Sequence, residues 1–147
     1  MELKIKTFRE LEKQELYDLL QLRSEIFVVE QACLYQDMDG KDQKAIHVLG
    51  YIGKELVAYT RVFGPGTYFR EASIGRVAVR GSHRGKGLGV QIMKKSVEAA
   101  EAAFHTRNIA LSAQLYLKEF YEDLGFFAEG PEYEEDGIPH IRMVMLP

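Results

Sequence analysis

"RVAVRGSHRGKGLGVQIM", residues 76–93, decides how the rest of the chain is read. Its first residues, a β-branched run around Val77 and Val79, read as a strand. After it, Leu88, Ile92, Met93, Val97, Ala100 and Phe104 recur on one helical face. Between strand and helix lies a basic loop carrying Arg80, His83, Arg84 and Lys86 among Gly81, Gly85, Gly87 and Gly89. Glycine costs a helix about 1 kcal/mol relative to alanine, so this density at a helix start needs a reason. An anion supplies one: glycines let backbone N–H groups come close to a pyrophosphate, and the helix aims its positive end at it. The Walker spacing fails, because Gly81 precedes Gly85-Lys86 by one residue too few and Gly87 stands where the hydroxyl belongs. The dinucleotide fingerprint fails too, since Gly85, Gly87 and Gly89 are evenly spaced and the strands before them read as antiparallel.

Outward from the loop, "KIKTF" (4–8) alternates as an opening strand, and "ELYDLLQLRSEIFVVEQ" (15–31) reads as a helix passing into a second short one. "CLYQDMDGKDQ" (33–43) is a polar loop. "AIHVLGYIGKELVAYTRVF" (45–63) is a hairpin turning at Gly53-Lys54, and "ASIGRVAV" (72–79) extends it to a meander after the Gly-Pro-Gly break at 64–66. Then come a strand in "NIALSAQ" (108–114), a helix in "LYLKEFYEDLGF" (115–126) ending at Gly125, and a closing hairpin over 126–146. The order is β, α, several β, α, β, α, β, β, with no repeat or linker, so the expected organisation is one domain over 1–147.

The chain has 147 residues, net charge −3, 46% hydrophobic residues, and eight Phe and eight Tyr. This balance gives enough apolar mass for a core and no general field for nucleic acid. No stretch approaches the roughly eighteen apolar residues of a membrane span. The N-terminus lacks an apolar targeting segment and the lone Cys33 excludes an internal disulfide, so the expected setting is cytoplasmic, without membrane or nucleic-acid partners. No metal is expected: the histidines stand singly, Cys33 has no ligand partner at zinc spacing, and "DMDGKD" (37–42) fails the calcium-loop spacing.

"RGKGLG" (84–89) matches the R/Q-x-x-G-x-G/A signature of the GCN5-related N-acetyltransferases, and "LSAQLYLKEFYEDLGFF" (111–127) resembles their second motif, ending in F-Y-x-x-x-G-F. The segments "LLQLRSEIFVVEQACLYQDMDGKD" and "AIHVLG" are similar to the ElaA-like branch of that superfamily, so the resemblance spans essentially the whole chain. It implies an α/β (α+β) fold with a mixed, mostly antiparallel central sheet of about seven strands, flanked by helices and splayed between the fourth and fifth strands. It further implies an acetyl-CoA-dependent N-acetyltransferase acting on a small-molecule or peptide amine by direct attack on the thioester, with acetyl-CoA as cosubstrate.

Carried onto this sequence, the resemblance sets the N–H of Val77 at the thioester carbonyl as an oxyanion donor. The strand edge through Ala78 and Val79 would lie along the pantetheine, and the amides of Arg84, Gly85, Lys86, Gly87, Leu88 and Gly89 around the pyrophosphate. Gln114 stands near the start of the second motif, where many relatives carry Asn, and Tyr121 stands at the position of the phenol acid. Relatives that use a carboxylate base would place it near Ser73; Glu71, His47, His140 or a water relay are the alternatives here. Glu30, Asp37, Asp39, Asp42 and Glu71 read either as a surface favouring a cationic acceptor or as a solvated acidic loop. Two other readings stand beside the enzyme: a non-catalytic acyl-CoA-binding module, and, because "LRSEIFVVEQ" (22–31) resembles autoinducer synthases, transfer from acyl carrier protein to S-adenosylmethionine. The strand "IRMVML" (141–146) would offer an edge for pairing two copies.

Overall fold

A computed structural model describes residues 1–146. Its centre is a meander in which β1 (Glu2–Thr7), β2 (Ile46–Ile52), β3 (Glu55–Phe63) and β4 (Ala72–Val79) pair antiparallel in sequence order. Gly53, at φ +62°, makes the two-residue turn between β2 and β3 that its position in the sequence predicts. Along β3, Ala58, Thr60 and Val62 face one side of the sheet while Tyr59, Arg61 and Phe63 face the other, as the period of two requires.

Helix α1 (Lys13–Arg23) continues into a π-helical stretch over Ser24–Glu30, and its Leu19, Leu22 and Ile26 bury against Leu49, Leu56 and Tyr59 on one face. Helix α2 (Leu88–Phe104) covers the opposite face with Ile92, Met93, Val97 and Ala100, packed on Val48, Ala58, Val62 and Ile74. Thr60 and Ser96 lie inside this second layer and satisfy one another at 2.5 Å, with Ser96 Oγ also donating to the Ile92 carbonyl at 2.7 Å.

The second half of the sheet is β5 (Ile109–Gln114) and β8 (Ile138–Met145), with the short β6 (Phe127–Ala128) and β7 (Tyr133–Glu135) on the outer side of β8; α3 (Lys118–Asp123) follows β5. The sheet therefore has eight strands, one more than the closing hairpin alone supplies, because Phe127–Ala128 adds a strand of its own. Strands β4 and β5 run parallel and pair only at Ala72–Ile109 and Ser73–Ala110. Beyond these two pairs they diverge, which is the expected splay between fourth and fifth strands. The edge expected in "IRMVML" is not free: β8 pairs with β5 over His140–Met145 on one side and with β7 and β6 on the other. That segment is therefore flanked by strands of the same chain on both sides and is not the open sheet edge expected for a second copy.

Candidate active site

The divergence of β4 from β5 opens a cleft of about 500 Å³. One end is the glycine loop; the other is formed by residues 31–35 and the turn between β7 and β8. A bulge shapes its β4 wall. Tyr59 pairs with Ala78 and Arg61 with Gly75, so Arg76 and Val77 together face the single residue Thr60 and have no ladder partner. Arg76 takes φ +49°, a left-handed conformation in which a side chain costs on the order of 1 kcal/mol. Val77 is thereby freed from β3 and lines the cleft.

The bulge is held from outside the sheet. Arg76 Nε donates to Asp37 Oδ1 at 2.8 Å and its Nη2 to the Asp37 carbonyl at 3.0 Å, while the guanidinium lies 5.7 Å from the centre of the Tyr35 ring. Asp37 also accepts from Arg23 Nε at 2.9 Å; Arg23 Nη1 reaches Asp42 at 2.7 Å; Arg61 bridges Asp42 at 3.0 Å and Asp39 at 2.6 Å; Asp39 returns to Arg76 at 3.8 Å. Three arginines and three aspartates thus alternate in a closed ring, with Arg23 and Arg61 fully buried. Burial pushes the Asp39 and Asp42 carboxyls up, but the hydrogen bonds and charges of the arginines outweigh it and hold both below the ordinary aspartate range. Asp37, Asp39 and Asp42 are therefore spent on structure and do not form an open anionic surface toward an acceptor. The alternating ring is what the sequence reading missed; the "DMDGKD" spacing was its only local sign.

The glycine loop keeps its backbone open. Gly85 and Gly87 both adopt φ +77°, and a Cβ at either would meet nothing within 4 Å, so the loop backbone is open to the cleft at both positions. No side chain caps the first turn of α2. Gly89 differs: its missing Cβ lets Phe120 approach to 3.3 Å of where that atom would be. The loop cations are tied back, Arg80 to Glu25 at 2.9 Å and Arg84 to Glu30 at 2.8 Å, with Arg84 Nε donating to the Val79 carbonyl at 3.0 Å. Val77, Val79, Arg84, Gly85, Gly87, Leu88 and Gly89 line the cleft; Ala78 faces the α1 layer, and the Lys86 side chain lies outside the lining.

Tyr121, on α3, is 5% exposed and reaches the cleft, and its hydroxyl makes no hydrogen bond among the described residues. Burial, with a smaller contribution from Tyr116, pushes its phenol well up, so the proton stays on oxygen through the neutral range. Gln114 lines the cleft with its amide paired to Gln31 at 3.1 and 3.2 Å. His140 lines it from β8. His47 does not: it is wholly buried near Phe8 and Tyr59, with Nε2–H donating to the Asp42 carbonyl at 2.9 Å and Nδ1 accepting from Tyr59 at 2.6 Å. Glu71 also lies off the cleft, bound by Arg142; burial raises its carboxyl, but its own backbone amide and Arg142 outweigh that and lower it. Ser73 is buried with its hydroxyl unpartnered among the described residues. Cys33 sits on the cleft wall, its thiol directed to the Asp136 carbonyl at 3.4 Å. Among the described residues no group of His, Cys, Asp and Glu is arranged to hold a metal ion.

The family profile described as "Acetyltransferase (GNAT) domain" matches residues 10–147. Protein ElaA of Escherichia coli (strain K12) is 44% identical over 136 residues, covering 91% of this chain and 89% of that protein. The crystal structure of Escherichia coli ElaA superposes with a TM-score of 0.92 at 41% identity over 98% of each chain. That of an acyl-CoA N-acyltransferase from Pseudomonas aeruginosa also gives 0.92, at 39% identity over 99% of each. The AHL synthase LasI shares the fold alone, with a TM-score of 0.76 at 13% identity over 97% of this chain and 88% of that one.

Proposed function

The chain belongs to the GNAT acyltransferase family, and from that premise we propose that it moves an acetyl group from acetyl-CoA to an amine by direct attack on the thioester. One observation carries the reading: a single cleft joins an open glycine cradle at a helix start, a bulged strand residue outside its ladder, and a buried phenol without a partner. The cradle suits a pyrophosphate, since Gly85 and Gly87 leave their backbone unobstructed and the uncapped first turn of α2 lines the same cleft. When bound, acetyl-CoA supplies the thioester acyl group. Every other part belongs to this chain.

The amides from Arg84 to Gly89 fix the diphosphate, which turns attack by the amine into a positioned event. The Val77 N–H serves the carbonyl oxygen and strengthens as that oxygen gains charge in the tetrahedral intermediate. Tyr121 gives the departing sulfur its proton. Cys33 has no step to perform. The acceptor is a small-molecule or peptide amine, selected at the end of the cleft beside Tyr35, Ser112 and Gln114. Among the described residues no helix is long and apolar enough to cross a membrane. A cytoplasmic setting belongs to the same proposal and rests on the lone cysteine.

Titration of acetyl-CoA by calorimetry into wild type and Gly87→Trp, with melting curves for both, tests the cradle. Micromolar wild-type binding that a folded variant loses supports it; no wild-type binding overturns it. Thiol release dependent on an added amine then separates transfer from binding. Binding without release for any amine up to about pH 9, where amines are better nucleophiles, would favour the acyl-CoA-binding module. Turnover only with an acyl carrier protein and S-adenosylmethionine would favour the autoinducer-synthase reading, whose support here is a shared fold.

A further inference from the structure

An amine that attacks a thioester must lose a proton, and neither Tyr121, nor Val77, nor the loop amides can take it. The titratable side chains of the cleft divide by position. At the loop end, Glu30 is paired with Arg84, and His83 bonds Ser82 at 2.8 Å with Glu55 3.7 Å away. On the 31–35 wall, burial pushes the Tyr35 phenol up to about 12, and its hydroxyl donates to Asp37. The β7–β8 hairpin contributes His140, Glu135 and Asp136.

His140 is fixed in one tautomer by its surroundings. Its Nδ1 lies 2.6 Å from the Ile138 carbonyl, which can only accept, so the ring hydrogen sits on Nδ1 and the neutral imidazole carries its lone pair on Nε2. Nε2 is 3.3 Å from a Glu135 carboxylate oxygen. The His140 side chain is 7% exposed and that of Glu135 47%, so the pair runs from the buried wall out to water. The Tyr133 ring stacks on the imidazole at 6.0 Å, and its hydroxyl is bonded to Ser112 on β5, which holds the ring plane. Gln114 is the cross-strand partner of His140. The other charges nearby are Asp136 at the turn and Arg142 one pleat further along β8, the latter engaged by Glu71 and Glu129.

We propose that His140 and Glu135 are the proton-accepting pair of the acyl transfer, His140 Nε2 as the catalytic base and Glu135 as the group that positions it and hands its proton to solvent. The inference rests on the acyltransfer reading above. For an acceptor arriving as an ammonium ion, Nε2 removes one proton and frees the nitrogen lone pair, which forms the N–C bond to the acyl carbon. On collapse the C–S bond breaks with its electron pair going to sulfur, and a second N–H proton leaves by the same route. Tyr121 protonates the sulfur and is recharged from solvent, so one proton is released per amide formed. Glu135, 3.3 Å from Nε2, accepts the N–H that proton capture creates there. Glu135→Gln leaves that N–H without an anionic acceptor and lowers kcat while the KM for acetyl-CoA is kept; a kcat indifferent to Glu135→Gln overturns its part.

Two measurements decide it. The first needs no acceptor: long-range proton–nitrogen NMR of uniformly labelled protein, with the His140 signals assigned by their loss in His140→Asn. The expected result is that the neutral ring carries its hydrogen on Nδ1; a hydrogen on Nε2 overturns the proposal. The second is thiol release from acetyl-CoA with butylamine, phenethylamine, spermidine and a lysine peptide. Asn at 140 keeps a donor for the Ile138 carbonyl. It should lower kcat by about 100-fold or more, leave the KM for acetyl-CoA unchanged and remove the acidic limb. Thiol release that His140→Asn leaves unchanged removes the proton path alone, whereas no release by wild type with any of the four amines removes the acyltransfer reading and the path with it.

Discussion

Replacing Asp37 by alanine breaks the ring of arginines and aspartates at the member that bears on both the core and the bulge. Asp37 accepts from Arg23 Nε at 2.9 Å and from Arg76 Nε at 2.8 Å, with its side chain 8% and that of Arg23 0% exposed. Removing one partner of a buried pair costs about 3–5 kcal/mol, because the other charge is left without compensation. Here the low end applies. Arg23 keeps Asp42, and the Asp37 backbone carbonyl still accepts from the Nη2 of Arg23 and of Arg76 at 3.2 and 3.0 Å. A loss of about 3 kcal/mol is a large share of the 5–15 kcal/mol of an ordinary domain. At this chain length it lowers the melting temperature by roughly 10 °C. Urea unfolding followed by circular dichroism reads it directly: the midpoint should fall with an unchanged slope, since the surface exposed on unfolding is the same. A loss under about 1 kcal/mol would refute the reasoning, because it would mean that the ring is screened as a surface ion pair is and does not carry the bulge.

Arg76→Gly and Arg76→Ala both lose the ion pair with Asp37, but only alanine keeps the cost of φ +49°, so the glycine variant should be the more stable by about 1 kcal/mol in the same assay. His47 is held neutral: burial lowers its pKa from the ordinary 6.5, so the stability it contributes is complete above that value and is lost as pH falls below it. The melting temperature should fall as pH drops below about 6.5 in wild type and less steeply in His47→Gln. Tyr121→Phe removes a hydroxyl that bonds no other described residue, so melting should barely change while kcat falls by about 10²–10⁴ with the KM for acetyl-CoA retained, as steady-state thiol release will show.

The glycine loop, the hairpin turn and α2 were legible because what fixes them is local. A glycine at positive φ, a two-residue turn and a helical face are each written within a few consecutive residues. The histidines were not distinguishable in this way. His47 and His140 both sit in apolar strand sequence, yet β2 turns one into a sealed bond with Tyr59 while β8, paired with β5, brings the other to the splay. Likewise Asp37, Asp39 and Asp42 read as an acidic loop because their partners are distant in sequence: Arg23 lies 14 residues from Asp37, Arg61 lies 22 from Asp39, and Arg76 lies 39 from Asp37. The bulge is the sharpest case. Sequence rules assign a left-handed residue to glycine, and Gly75 stands beside it, but the positive φ falls on Arg76. A glycine there would take that conformation at no steric cost and would leave the bulge free of the loop at 33–42. An arginine takes it at a cost that its bonds to Asp37 offset, so the strand residue that frees Val77 and the loop that carries Tyr35 along the cleft wall are bound into one unit.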